Sequence, residues 1–233
     1  MRPLFLKAGV ITQARGSAYI EMDQTKAICA VYGPREVQRR EEFSLRGQLT
    51  CEMKFATFSG RLRKQHQQDS SEKDLSVQML EALEPAVCLH KYPKAQINIY
   101  VTILQHDGSA LSACILCASL ALASAGVEMY DLVIASTAAV YDNLCLSDPT
   151  SQEEESILAN ESTESSGSCG MLTLALLPSL NQVSALTSDG AIQFETINKT
   201  VKVCTDNCQK LYPVLQQTLM KHAQDSRKEK HSQ

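Results

Sequence analysis

No stretch of the 233 residues approaches the roughly 18 consecutive apolar side chains of a membrane-spanning helix. The opening Met1-Arg2-Pro3-Leu4-Phe5-Leu6-Lys7 is too short in apolar residues for a signal peptide, so neither membrane insertion nor secretion is expected. An excess of positive charge is missing as well. The 22 Lys and Arg face 26 Asp and Glu, giving a formal net charge of −4 and a pI near 5.8. That balance excludes a globally basic nucleic-acid binder and leaves only a local patch for such contact. Paired metal-ligand motifs are also lacking. Cys114-x-x-Cys117 has no second Cys or His pair at ligand spacing, and Cys204 and Cys208 have only His222, far along the same predicted helix. No metal or other cofactor is expected. The nine cysteines, an odd number set mostly in apolar segments, read as buried thiols of a reducing compartment rather than disulfides. None of the five histidines, His66, His90, His106, His222 and His231, stands in a nucleophile-and-base arrangement visible in sequence.

What is present is enough for a core, with 44% hydrophobic residues and no linker that demands two domains. Residues 17–32 divide into SAYIEM and AICAVYG around Asp23-Gln24-Thr25-Lys26, a β-hairpin that Gly33-Pro34 should end. Leu49, Cys51, Met53 and Phe55 share one face of a further strand. Leu75, Met79, Leu80, Leu83 and Val87 recur at helical spacing over 74–88, with Ser70, Ser71 or Asp74 available as caps. Ile97, Ile99, Val101 and Ile103 alternate with polar residues as in a half-buried strand. After Asp107-Gly108, the small apolar residues of 112–125 form a buried helix closed by Gly126. Strands are expected over 132–140, 144–146, 171–177 and 182–186, with a turn at Ser188-Asp189-Gly190. Residues 148–169 hold Asp148, Glu153, Glu154, Glu155, Glu161, Glu164 and many serines but no base. They read as an exposed acidic insertion loop. A helix over about 195–223, kinked at Pro213, precedes a polar tail at 226–233. The order of elements indicates a mixed α/β domain over 1–225.

Two local features carry chemistry. Gly108-Ser109 lies between a strand and a helix start, where backbone N–H groups can cradle an anion, although a turn and N-cap explain it as well. Between Arg35 and Lys64, eight bases stand against four acids in an otherwise acidic chain. Arg35, Arg39, Arg40, Arg61, Arg63 and Lys64 are the candidate phosphate-contacting residues. Arg61, Arg63 and Lys64 follow Gly60 in a loop that is either a phosphate contact or a solvated surface.

The residues also carry a resemblance. Gly9-Val10, residues 16–21, Lys26 through Arg35, Phe58-Ser59-Gly60, Glu81-Ala82-Leu83-Glu84-Pro85 and Tyr92-Pro93 follow the order of the RNase PH family. So do residues 118–123, Ala125-Gly126-Val127, Met129 and Leu211-Tyr212, and the chain resembles most the family's RNA exosome ring members. The resemblance implies an RNase PH-like α/β fold of the ribosomal protein S5 domain 2 type, with mixed sheets packed with helices.

Active family members shorten RNA from its 3′ end with inorganic phosphate, using an Arg after Gly-Ser and a strand-borne Asp. Here Ala110-Leu111 follows Gly108-Ser109, Ser70-Ser71 stands where a second Arg is expected, and Cys169-Gly170-Met171 replaces the Asp segment. Phosphate charge left without a guanidinium cannot be stabilised by Ala or Ser, so the resemblance implies an inactive site with no catalytic residue. It further implies a ring subunit in nucleus, nucleolus and cytoplasm, partnered by other RNase PH-like subunits, an OB-fold/KH cap subunit and RNA. The alternative is a phosphorolytic 3′–5′ exoribonuclease active together with a ring neighbour.

Overall fold

The computed structural model describes residues 2–36, 46–142, 144–161 and 169–231. Nine strands form two sheets. The first contains β1 (Leu4–Ala8), β2 (Gly16–Met22), β3 (Thr25–Glu36), β4 (Gln48–Phe55) and β5 (Ala95–Gln105), in the order β1-β2-β3-β5-β4. Only β4 and β5 pair in parallel, as their connection through helix α1 (Ser70–Leu83) requires. The second sheet is antiparallel throughout, β7-β6-β8-β9, built from β6 (Ile134–Tyr141), β7 (Leu144–Ser147), β8 (Cys169–Leu177) and β9 (Gln182–Ala191).

Helix α2 (Ala110–Ser124) lies between the sheets. Every residue from Leu111 through Leu122 is buried, which a helix achieves only when apolar layers enclose it on all sides. Its small side chains let the strands come close. A Cβ on Gly16 of β2 would stand 2.4 Å from the Ala121 carbonyl oxygen, so no larger residue fits there. The helix ends in paired reverse bonds, Gly126 N–H to Ala123 O and Val127 N–H to Leu122 O, with Gly126 at φ +69°. Cys117 Sγ donates to Ala18 O at 3.3 Å, and burial pushes the Cys29 and Cys114 thiols well above their ordinary range. On the far face of the second sheet, helix α4 (Phe194–His231) packs Cys204 against Ala138, Leu172 and Leu174.

Several expectations are corrected. β1 was not foreseen. β3 continues past Gly33-Pro34, because β2 pairs with it only as far as Val31 and a register shift against β5 between Tyr32 and Arg35 absorbs the missing N–H. The first helix begins and ends earlier, with Glu72 Oε2 accepting from the Asp69 N–H at its start. Ser188-Asp189-Gly190 lies within β9 rather than in a turn. The supposed acidic loop holds helix α3 (Ser151–Glu161), anchored by buried Ile157 against Ala139 and Cys169. The polar tail is helical as far as His231.

A charged staple ties the sheets together. Arg2, before β1, donates from Nη2 to Asp148 Oδ1 at 2.7 Å and from Nη1 to Asp107 O at 2.6 Å, while its backbone N–H reaches Asp148 Oδ2 at 3.1 Å. Asp148 follows β7, and Asp107 lies in the turn before α2. Burial alone would raise the Asp148 carboxyl, but its bonds from Arg2 hold it below the ordinary value. With the folded value below the unfolded one, this stabilisation is complete above about pH 4 and is lost as pH falls through the depressed folded value. Removing one member of a buried pair strands the other, so Arg2→Ala is expected to destabilise by about 3–5 kcal/mol near neutral pH. Urea unfolding of both proteins should show the difference shrinking as Asp148 protonates, and a pH-independent difference would contradict the assignment.

Candidate functional site

At the start of α2 the chain leaves β5, turns through His106 to Ser109, and enters the helix with Ser109 at φ 50°. Ser109 Oγ donates to Pro149 O at 3.2 Å and Ser112 Oγ to Ser109 O at 2.9 Å. The Ser109 N–H donates to Glu154 Oε1 at 2.7 Å, so α3 supplies the carboxylate that satisfies this helix end. Burial raises the Glu154 carboxyl above its ordinary value, opposed by the Ser109 bond and by Arg2. Gly108 is required here: at φ +82°, a Cβ would stand 2.4 Å from Pro149 O.

A cleft of about 200 Å³ opens beside this turn, between the two sheets. Ser109, Ala110, Phe55, His106 and Gln78 line it from the side of the first sheet, and Glu154, Met171, Thr173 and Asp189 from that of the second. The structure therefore brings together the segments singled out in the sequence: Gly108-Ser109-Ala110, the Met171 strand and, one and two turns past Ser71 on α1, Leu75 and Gln78. Sequence reasoning missed Asp189 and Glu154, which it had assigned to a turn and a loop. Asp189 stands directly across from Met171 in the β8–β9 ladder and lines the cleft. A carboxylate is thus present on the strand next to the one expected, and what the cleft lacks among its lining residues is an arginine.

The loop between β4 and α1 borders the cleft. It is fixed by bonds from Ala56 N–H to Ile103 O, Ser59 N–H to Ala56 O, Lys64 N–H to Thr57 O and His106 N–H to Ser59 O. Arg61 and Arg63 are exposed on it, beside Phe58 and Leu62. Lys64 is different: its Nζ sits 3.6 Å from the centroid of the Phe55 ring, a cation–π contact that turns it inward. Arg35 is not part of this group. It is paired with Gln96 at the start of β5, whereas the loop touches Ile103 and His106, roughly 23 Å along the same strand by rise alone. There its guanidinium lies 5.2 Å from the Tyr32 ring centroid. Arg39 and Arg40 fall outside the described residues.

A mixed five-stranded sheet on one side of a buried helix and an antiparallel four-stranded sheet on the other, with a cleft at that helix's start, define an RNase PH-type α/β domain. The model of the 3′ exoribonuclease family, domain 1, matches residues 1–128, and the chain belongs to this RNase PH family. It is 41% identical over 96% of its length to human exosome complex component MTR3, covering 84% of that protein. It is 35% identical to exosome complex component Rrp41 of Methanopyrus kandleri, covering 91% of this chain and 84% of that one. Among solved structures, rice Rrp46 superposes with a TM-score of 0.79 at 20% identity, covering 94% of this chain and 95% of that one. The Archaeoglobus fulgidus exosome with RNA bound to its active site superposes at 0.75 and 19%, covering 90% and 87%. These two show a shared fold.

The cleft has a titratable marker in His106. Burial first, and then the nearby Lys64 cation, lower its pKa below the ordinary histidine value. Lys64→Met is expected to raise the His106 pKa without restoring the ordinary value, since burial remains. An NMR titration of the His106 ring in both proteins checks this, and an unchanged midpoint would place Lys64 away from Phe55.

Proposed function

We propose that the chain is a non-catalytic RNase PH-like subunit of the RNA exosome ring, supporting assembly and guiding RNA through the central channel for 3′–5′ processing and degradation. The observation that carries this reading is its 41% identity, over 96% of its length, to a protein named as an exosome complex component. Its neighbours would be other RNase PH-like subunits and an OB-fold/KH cap subunit, and its place the nucleus, nucleolus and cytoplasm. Purifying the tagged full-length chain from its cells and quantifying co-purified proteins by mass spectrometry tests it. Equal recovery of several ring subunits is expected, and recovery of the chain alone would overturn the reading.

Inactivity rests on the electrostatics of the cleft. Inorganic phosphate attacking a phosphodiester brings two anions together, and catalysis requires fixed cations where that charge gathers. Ala110 supplies none, Ser71 supplies none, and the ionisable residues that do line the cleft on the second sheet's side are Glu154 and Asp189. Asp189 favours the second reading, a phosphorolytic enzyme completed by a ring neighbour, by offering a carboxylate for proton transfer. It does not replace the missing cation. The purified chain should therefore neither shorten 5′-labelled RNA with phosphate nor extend it with nucleoside diphosphates. Ala110→Arg alone should not restore either reaction, because cooperating groups are strongly non-additive. Phosphate-dependent shortening by either protein would reverse the assignment.

RNA contact is proposed for the loop that borders the cleft. Arg61 and Arg63, both exposed, can meet successive phosphates of a single strand without reading bases. Lys64 is held over Phe55 and contributes less. In the assembled ring, Arg61→Ala with Arg63→Ala should reduce the salt slope of RNA binding by about 1.4, from ~0.7 per single-strand phosphate. Adding Lys64→Ala should change it little further. An unaltered slope would make the loop a solvated surface, and sequence preference should be unchanged in every variant.

A further inference from the structure

The edges of the two sheets are not finished alike. An open edge presents a row of unpaired backbone N–H and C=O groups, and folded chains blunt such rows by shortness, charge or cover. β1 is five residues long and carries an exposed Lys7, and β7 is only four residues long. β4 is covered. Its Met53 N–H donates to Ser76 Oγ at 2.9 Å and its Phe55 N–H to Glu72 Oε1 at 3.0 Å, both from α1, while Gln68 Nε2 donates to Met53 O at 3.2 Å. Glu52 and Lys54 add an ion pair on the same strand.

β9 is less protected: α1 packs on one face of it, but among the described residues its outer backbone edge is left open. It runs ten residues as QVSALTSDGA, without Lys, Arg or Pro, and Asp189 is its single charge. Ser184 is tied to α1, its Oγ donating to Ala82 O, but among the described residues no group bonds the backbone on the side of β9 away from β8. Val183 and Leu186 are 52% and 50% exposed. A long edge without a basic residue or proline, with exposed aliphatic side chains at Val183 and Leu186, is what a pairing strand recognises, through backbone bonds along its length and apolar contacts beside them. The same features disfavour RNA, since the strand offers no cation and one carboxylate.

We propose that β9 is a strand-addition edge, completed in the assembly by an extended, uncharged segment of an adjacent RNase PH-like subunit, so that the second sheet continues across the interface. This rests on the ring reading above. A second copy of the chain is the weaker occupant, because β9 paired with its own copy closes a two-fold dimer and stops there.

The test uses full-length tagged chains in cells. Wild type is compared with the pair Val183→Lys and Leu186→Lys, and with Phe5→Lys on β1 as a control at another exposed edge position. The β9 variant should lose one ring neighbour by about tenfold or more, while the control retains all of them, since a charge on an open edge blocks pairing. Hydrogen exchange of the wild type supplies a measurement independent of any variant. The β9 amides should exchange about tenfold or more slower in the ring than in the isolated chain, with β1 amides unchanged. Wild type recovered alone would overturn the ring reading and this inference with it. Neighbours held equally by wild type and the β9 variant, β9 amides left unprotected in the ring, or an isolated chain that dimerises until the lysines are introduced, would each overturn this inference alone.

Discussion

A helix with no polar face cannot rest on a single sheet. Residues 111–122 of α2 are apolar or small all round, so the chain has to provide a layer on each side, and the two-sheet architecture answers that need. Most of the rest follows from this enclosure. The first sheet must lie close, which sets Gly16 against the helix backbone. The second sheet needs cover on its other face, which α4 gives with Cys204, Cys208, Leu211 and Leu215. The start of α2 opens toward both sheets, and there the cleft forms.

That enclosure also explains which parts were legible. The alternation of Ile97, Ile99, Val101 and Ile103, the β2–β3 hairpin and the small apolar run of α2 are dictated by burial on a fixed period, and each is where the sequence puts it. α3 was not legible from composition, because six acids among many serines with no base read as solvated chain. Its real signals are short: Thr150 with Glu153 three residues on, whose Oε2 accepts from the Thr150 N–H at 2.7 Å, and the buried Ile157. Gly33-Pro34 and Ser188-Asp189-Gly190 misled for a shared reason. Both lie where one side of the strand is unpaired, so residues that break a central strand are tolerated there.

The candidate site was legible in part. Gly108-Ser109-Ala110 and the Met171 strand, far apart in sequence, do meet at the cleft. Spacing alone could not show that Asp189 sits across from Met171, since that depends on the β8–β9 register, nor that Lys64 folds over Phe55. The charge cluster from Arg35 to Lys64 looked like one patch because its members are near in sequence. Strand β5 separates Arg35 from the loop by most of its own length, and among the cluster's described members Arg61 and Arg63 are exposed beside the cleft.

The thiols buried around α2 have a use of their own. Cys29, Cys114 and Cys117 lie at the seam between β3 and α2, closed to solvent, and burial suppresses the thiolate forms of Cys29 and Cys114. An alkylating reagent reaches them only when that seam parts, while Cys204 and Cys208, both pushed up to about 12, answer in the same way for the α4 layer. The rate at which each group is labelled thus clocks the opening of one layer separately from the other. The chain carries two internal stopwatches for its own breathing, with no probe needing to be introduced.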